Sequence, residues 1–262
     1  MIPKIIHYCW LSNDPIPQNL QECMLSWKRY LPDYEFILWN FDRFPKEKSR
    51  WVSEAFDNRK YAFAADYIRL YALYHYGGIY LDMDVEVIKA FDDLLDADEL
   101  ICYESNRNVF EMATIGASKG AAWVKDILDY YDGRSFILPD GKLDTLPLPN
   151  IAKQSLSTKY VFGNYPSKCN GTNCLNIYPS EYFSPKSYVN GKLYITENTY
   201  SIHHFEGSWL SEETRYIIKL ATKLNFLPDK ISLRISTLFS SIKFHGLRYT
   251  FKTMFSKIKK LL

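Results

Sequence analysis

Residues 5–10 are an apolar run that follows Pro3 and Lys4, and they predict a buried strand. Asn13-Asp14-Pro15 then turns the chain. Over 18–30, Leu20, Cys23, Met24 and Trp27 recur at threes and fours, the spacing of one helical face. Pro32-Asp33 breaks that helix, and 34–39 predicts a second strand. Strand, helix and strand in this order build a parallel sheet with a ligand crevice at the strand ends.

The pattern continues with helices over 44–56 and 60–76, the second stopped by Gly77-Gly78. Residues 79–87 (IYLDMDVEV) begin as an apolar strand and turn acidic at the far end. Residues 100–103 and 113–115 add strand-like pieces, and 121–131 reads as a helix. Residues 132–176 are rich in Pro, Gly, Asn and Ser and predict a loop-dominated stretch, the place where residues that set binding specificity would sit. Short strand-like pieces such as KLYIT follow in 177–204. The expectation is an α/β fold, a sheet flanked by helices.

Composition changes this picture in two respects. Hydrophobic residues make up 47% and charged residues 24%, which argues against disorder, but 21 Tyr, 16 Phe and 6 Trp are a rich aromatic supply for stacking flat ligands. Charge is unevenly spread: 210–262 holds eleven Lys/Arg against three Asp/Glu, leaving −6 for the rest of a chain whose total is +2. We therefore expect a body over 1–209 and a basic helical tail over 210–262. The five cysteines form no C-x-x-C pair, which disfavours a zinc ribbon. Cys169 and Cys174 flank a short loop and could bridge, but free thiols are the simpler expectation. The start, MIPKIIHYCWL, lacks the pattern of a secretory signal, and no run of eighteen apolar residues predicts a membrane-spanning helix.

The sharpest chemical signal is Gly77-Gly78-Ile79-Tyr80-Leu81-Asp82-Met83-Asp84. Aspartates one residue apart share a face if the strand stays extended, and they still converge on one cation if the chain turns. Paired carboxylates in a cleft repel, and Mg²⁺ or Mn²⁺ relieves that while keeping positions open for diphosphate oxygens. A bare D-x-D is common, and two solvated aspartates in a turn are the bland alternative. The preceding helix argues against it. Asp66 and Arg69 lie three apart among Phe63, Ala64, Ala65, Ile68, Leu70 and Leu73, where charges need partners.

With IPKIIHYCW near the start, AADYIRLYALYHYGGIYLDMDVEV in the middle and IHHFEGSW further on, the chain resembles glycosyltransferase family 32. The pattern is also similar to the glucosyltransferase domains of large clostridial toxins. The resemblance implies a GT-A type, Rossmann-like mixed sheet, retention of anomeric configuration and a Mn²⁺ or Mg²⁺ cofactor. It implies that Trp10 stacks on the nucleobase, that Asp66 and Arg69 contact donor sugar and phosphates, and that Tyr80 lines the donor pocket. Asp82 would meet the sugar or ribose and the metal's shell, and Asp84 would bind the metal. Ser208 and Trp209 would close over the diphosphate. His204 would be a metal or diphosphate ligand, although the adjacent His203 leaves the choice between them open. Asp66, Arg69 and Asp82 are the expected catalytic residues. Leu11-Ser12-Asn13 departs from the family, which often has glycines after the tryptophan.

The expected donor is a nucleotide-sugar, a UDP-sugar ahead of a GDP-sugar, giving a hexose or N-acetylhexosamine to a glycan or lipid-linked glycan. By analogy alone, the expected setting is bacterial capsular or surface polysaccharide synthesis in the cytoplasm, peripheral on the inner face of the membrane. The C-terminal stretch, ending FKTMFSKIKKLL, spaces apolar residues at threes and fours between lysines, a pattern suited to an anionic membrane surface and equally to packing on the body. Nothing supports nucleic-acid binding. Two rival readings are a haloacid-dehalogenase-like phosphatase, which also uses D-x-D but places it after its first strand, and a non-catalytic sugar-binding module.

Overall fold

The computed structural model describes residues 1–105, 108–167, 169, 171, 173–188, 190–207 and 210–250. Its chain divides into two compact units, one of 1–185 with 195–206 and the other of 186–194 with 207–262.

The first unit begins as the periodicity predicts: β1 (Ile5–Cys9), α1 (Gln18–Tyr30) and β2 (Glu35–Trp39). Helices α2 (Arg50–Asp57) and α3 (Tyr61–Tyr76) follow, and Ser49 caps the first by accepting from the Val52 amide. The acidic run then departs from expectation. It is two strands, β3 (Gly78–Leu81) and β4 (Val85–Val87), separated by a tight turn closed by Val85 N–H on the Asp82 carbonyl at 3.0 Å. Next come β5 (Glu99–Leu100), β6 (Thr114–Ala117) and α4 (Ala122–Leu128).

The stretch expected to be loop contains α5 (Leu148–Ser157), whose prolines stand in and before the first turn, where no amide hydrogen is needed. Its buried Leu148, Ile151, Ala152 and Leu156 form a helical stripe that the proline signal masks. Strands β7 (Val161–Asn164) and β8 (Cys174–Ile177) pair in parallel, and a disulfide joins Cys169 to Cys174, correcting the expectation of free thiols. KLYIT forms no strand, only a bridge from Lys186 to Leu193. The first unit ends with β9 (Ser201–His203), and the second contains α6 (Glu212–Lys223) and α7 (Asp229–His245). No described helix is long and apolar enough to cross a membrane.

Five strands form one mixed sheet in the order β2-β1-β3-β6-β5, with β1 parallel to both β2 and β3, and β6 antiparallel to β3 and β5. Helical cores cover both faces. Tyr80 looks toward the side of α2, α3, α4 and α5, whereas Ile79 and Leu81 look toward Trp27 of α1. The helix-to-strand turn at Gly77-Gly78 has φ of 69° and 104°, and a Cβ on Gly78 would lie 2.7 Å from the Ile5 carbonyl oxygen. Buried His7 ties this turn to β2: its Nδ1 accepts from Trp39 Nε1 at 3.0 Å, so its Nε2–H donates to the Gly77 carbonyl at 2.7 Å. Burial lowers the imidazole to about 4, so it stays neutral and structural.

Candidate active site

The carboxyl ends of β1 and β3 and the start of β6 meet at one edge of the sheet, the usual place for a ligand crevice in such folds. Asp82 leaves β3 here, and its amide donates to the Ala113 carbonyl at 2.8 Å. Through the turn the chain keeps its alternation: Met83, Val85 and Val87 are buried, while Asp82, Asp84 and Glu86 are only half-buried. The turn thus changes sheets without changing which side chains face out.

Helix α3 supplies Asp66 and Arg69 to this edge, both buried. The guanidinium reaches Asp66 Oδ1 at 3.0 Å and Asp82 Oδ1 at 3.1 Å through Nη2. Its Nη1 donates to the Met112 carbonyl at 2.6 Å and more weakly to Asp82 Oδ2 at 3.4 Å. The Tyr80 ring lies 4.6 Å from the guanidinium carbon, and its hydroxyl donates to Asp82 Oδ1 at 3.1 Å. Arg69 is therefore spent on holding two aspartates, with its terminal N–H groups facing Asp66, Asp82 and Met112 rather than free for a donor phosphate. Tyr80, 1% exposed, supports the guanidinium from below instead of lining an open pocket.

Electrostatics follow from one cation between two carboxylates. Burial opposes the charge on Arg69, but Asp82, Tyr80 and Asp66 outweigh it and hold the guanidinium protonated. Burial raises Asp66 to about 7 against the pull of Arg69, and it raises Asp82 in the same way. Asp66 meets the guanidinium through Oδ1.

On the other side of the D-x-D turn, β4 pairs antiparallel with β9, placing His203 opposite Val85. This register brings His203 Nε2 to 3.4 Å from Asp84 Oδ2, while its Nδ1 stands 3.2 Å from Glu111 Oε2. His204, the sequence candidate, instead sets Nε2 3.0 Å from Glu86 Oε2. Asp84 Oδ2 also accepts the Glu206 amide at 2.8 Å. Burial disfavours charge on Asp84, but His203 and that amide outweigh it and hold the carboxyl near 2. Glu111 and Asp84 likewise overcome burial to hold His203 well above its ordinary value.

Glu111 escaped the sequence reading. It is 2% exposed, and its other oxygen accepts the Ala113 amide at 2.8 Å, the same residue whose carbonyl anchors Asp82. An acidic residue in an apolar neighbourhood (FEMATIGA) was the available signal. Trp10 stands half-buried just after β1, its indole N–H donating to the Asp14 carbonyl at 2.9 Å. Ser208 and Trp209 lie outside the described residues.

Asp82, Asp84 and His203 each offer a ligand atom, all within 4.8 Å of one another. Two carboxylates and an imidazole whose far nitrogen faces a carboxylate are a fitting donor set for a divalent cation. The charge fits as well. Among the described residues, the carboxyls of Asp66, Asp82, Asp84 and Glu111 meet the cationic groups of Arg69 and His203, which leaves negative charge in excess even with the imidazole protonated.

Comparison with known proteins finds a family model that matches part of the chain. Residues 17–101, which include Asp66, Arg69, Asp82 and Asp84, match the family described as "Glycosyltransferase sugar-binding region containing DXD motif". Mannosyl phosphorylinositol ceramide synthase SUR1 of Saccharomyces cerevisiae is 39% identical over 99 residues, 36% of this chain and 26% of the relative. The chain thus spans about a quarter of that relative's length. An uncharacterized glycosyltransferase, L373 of Acanthamoeba polyphaga mimivirus, is 28% identical over 221 residues, 80% of this chain and 84% of the relative. Among solved structures, the PaToxG glycosyltransferase superposes with a TM-score of 0.46 at 20% identity, covering 60% of this chain and 69% of that one.

Proposed function

We propose that this chain transfers a hexose from a nucleoside-diphosphate sugar to a hydroxyl of a glycan or lipid-linked acceptor, with Mn²⁺ or Mg²⁺ held by Asp82, Asp84 and His203. The convergence of those three side chains beside the buried Asp66–Arg69–Asp82 cluster is the observation that carries the reading. A divalent cation bound there supplies positive charge where the leaving diphosphate gathers negative charge.

The remaining roles belong to the chain's own residues. Arg69 fixes the carboxylates of Asp66 and Asp82, and Asp66 takes a hydroxyl of the donor sugar. Trp10 offers its ring to the base at the end of β1. Glu111 orients His203 and, through Ala113, the backbone of Asp82. The acceptor hydroxyl attacks the anomeric carbon on the face from which the diphosphate departs, and its proton passes to the departing phosphate oxygen. Configuration is retained without a covalent intermediate on the protein. The phosphatase reading is disfavoured because it needs Asp82 as a nucleophile, and Tyr80 and Arg69 hold that carboxylate.

The relatives' names bear on donor and acceptor. The Saccharomyces cerevisiae relative is named as a mannosyl phosphorylinositol ceramide synthase, which puts mannose and an inositol-phosphate lipid first among candidates, ahead of a capsular polysaccharide. The test is a panel of UDP- and GDP-sugars with Mn²⁺, reading released nucleotide with and without EDTA. Release from one donor, abolished by EDTA, is expected. Absence of both release and Mn²⁺-dependent nucleotide binding for every donor overturns the reading.

Glu111→Gln tests the arrangement around the metal. It keeps the side chain's shape but removes the charge facing His203 Nδ1, and Mn²⁺ affinity should fall about 10- to 100-fold by titration calorimetry. Unchanged Mn²⁺ affinity would confine Glu111 to a structural role.

A further inference from the structure

The second unit is inverted relative to an ordinary water-soluble helical hairpin. Among its described side chains, α7 buries only Ser232, Ser236 and Ser240, which recur every four residues along one face. Ser240 Oγ donates to Glu213 Oε1 of α6 at 3.4 Å, so this small polar face is turned toward the neighbouring helix. The apolar residues lie elsewhere on α7. Ile231, Ile235, Leu238 and Ile242 follow the i, i+4, i+7, i+11 spacing of a single stripe, with Phe239 beside it. Ile231, Leu238 and Phe239 are exposed, and Ile235 and Ile242 only half-buried. In the turn between α6 and α7, Phe226 is 75% exposed, with the exposed Lys223 before it and Lys230 after it.

A hairpin stabilised by burial in water hides such a stripe between its helices. Packing through small residues, with apolar side chains outward, suits an environment that is itself apolar. Charge points the same way: from 207 to 250 there are seven Lys/Arg against three Asp/Glu, and His245 already lies 3.2 Å from Glu213. At 17 residues α7 is roughly 25 Å long, short of a typical hydrocarbon core of about 30 Å, which suits lying in the interface rather than crossing it.

We infer that the outward face of α7, together with Phe226, docks on an anionic lipid surface, the apolar stripe entering the acyl boundary and the flanking cations meeting the headgroups. Its test needs neither donor nor metal, so this reading and the sugar-transfer reading fail independently.

The full chain is floated with vesicles of phosphatidylcholine alone and of phosphatidylcholine with phosphatidylglycerol, at low and high salt. Association with the anionic vesicles, weakened by salt and lowered at least about tenfold by Leu238→Glu with Phe239→Glu, is expected. Phe226→Glu and the pair Lys223→Glu/Lys230→Glu should each lower it, and all these positions are exposed, so circular dichroism should stay unchanged. No association with anionic vesicles, or association that these variants leave intact, overturns the inference. So does a dimer by light scattering that Leu238→Glu with Phe239→Glu dissociates, because the face is then an interface between two copies.

Discussion

Asp84→Asn lowers donor turnover by on the order of 10³-fold in saturating Mn²⁺ while leaving the fold in place. The substitution preserves the shape of the side chain and an oxygen for the Glu206 amide, but it removes the charge that faces His203 and the cation. A stability signature accompanies the loss. Asp84 titrates near 2 in the metal-free protein, below its ordinary value of 3.8. A depressed carboxyl contributes stability that is fully present above its unfolded value and lost as pH falls through its folded one. Wild type should therefore exceed the variant by on the order of 2 kcal/mol at neutral pH. The gap should close as pH drops from about 4 toward 2. Turnover is measured with the donor found in the screen, and stability by urea unfolding at pH 7 and pH 3. Turnover within a few-fold of wild type would remove Asp84 from the site.

Arg69→Met has the larger effect on the fold. It leaves Asp66 and Asp82 at a buried edge without their shared cation, and breaking a buried pair from one side costs about 3–5 kcal/mol. The cost should depend on pH in a defined direction. Asp66 is already raised to about 7 by burial, so in the folded state it holds its proton longer than in the unfolded chain. Between about 4 and 7 that term makes the folded state less stable as pH rises, and without Arg69 the window extends upward. The variant's deficit is therefore smaller at pH 5 than at pH 8. Arg69→Lys should restore little, because a single ammonium cannot span Asp66, Asp82 and the Met112 carbonyl as the guanidinium does. Wild-type stability and turnover in the lysine variant would reduce Asp66–Arg69 to an ordinary intrahelical ion pair.

Much of the candidate site was legible because its residues are close in sequence and embedded in strong periodic patterns. Asp66 and Arg69 stood out as charges on an apolar helix, and Asp82 and Asp84 as acids at the end of an apolar strand. The residues that complete the cluster were harder to identify because they arrive through long-range pairing. Choosing His203 over His204 requires the register of β9 on β4, which no local spacing contains. Glu111 acquires meaning only when β6 places the preceding loop beside the D-x-D turn. Helix α5 was hidden for a different reason: prolines at a helix start resemble loop punctuation until the buried stripe behind them is seen.

The sequence by itself determined the β-α-β opening, the buried helix α3, its glycine stop and the paired aspartates, because periodicity of side-chain burial and backbone freedom at glycine act within a few residues. Tertiary structure alone decided that the acidic strand breaks into two sheets, that Arg69 is committed to Asp66 and Asp82, and that His203 joins Asp84 with Glu111 behind it. Those outcomes depend on which strand edges meet and on how many carboxylates one buried cation must serve. Both are properties of residues brought together from distant parts of the chain.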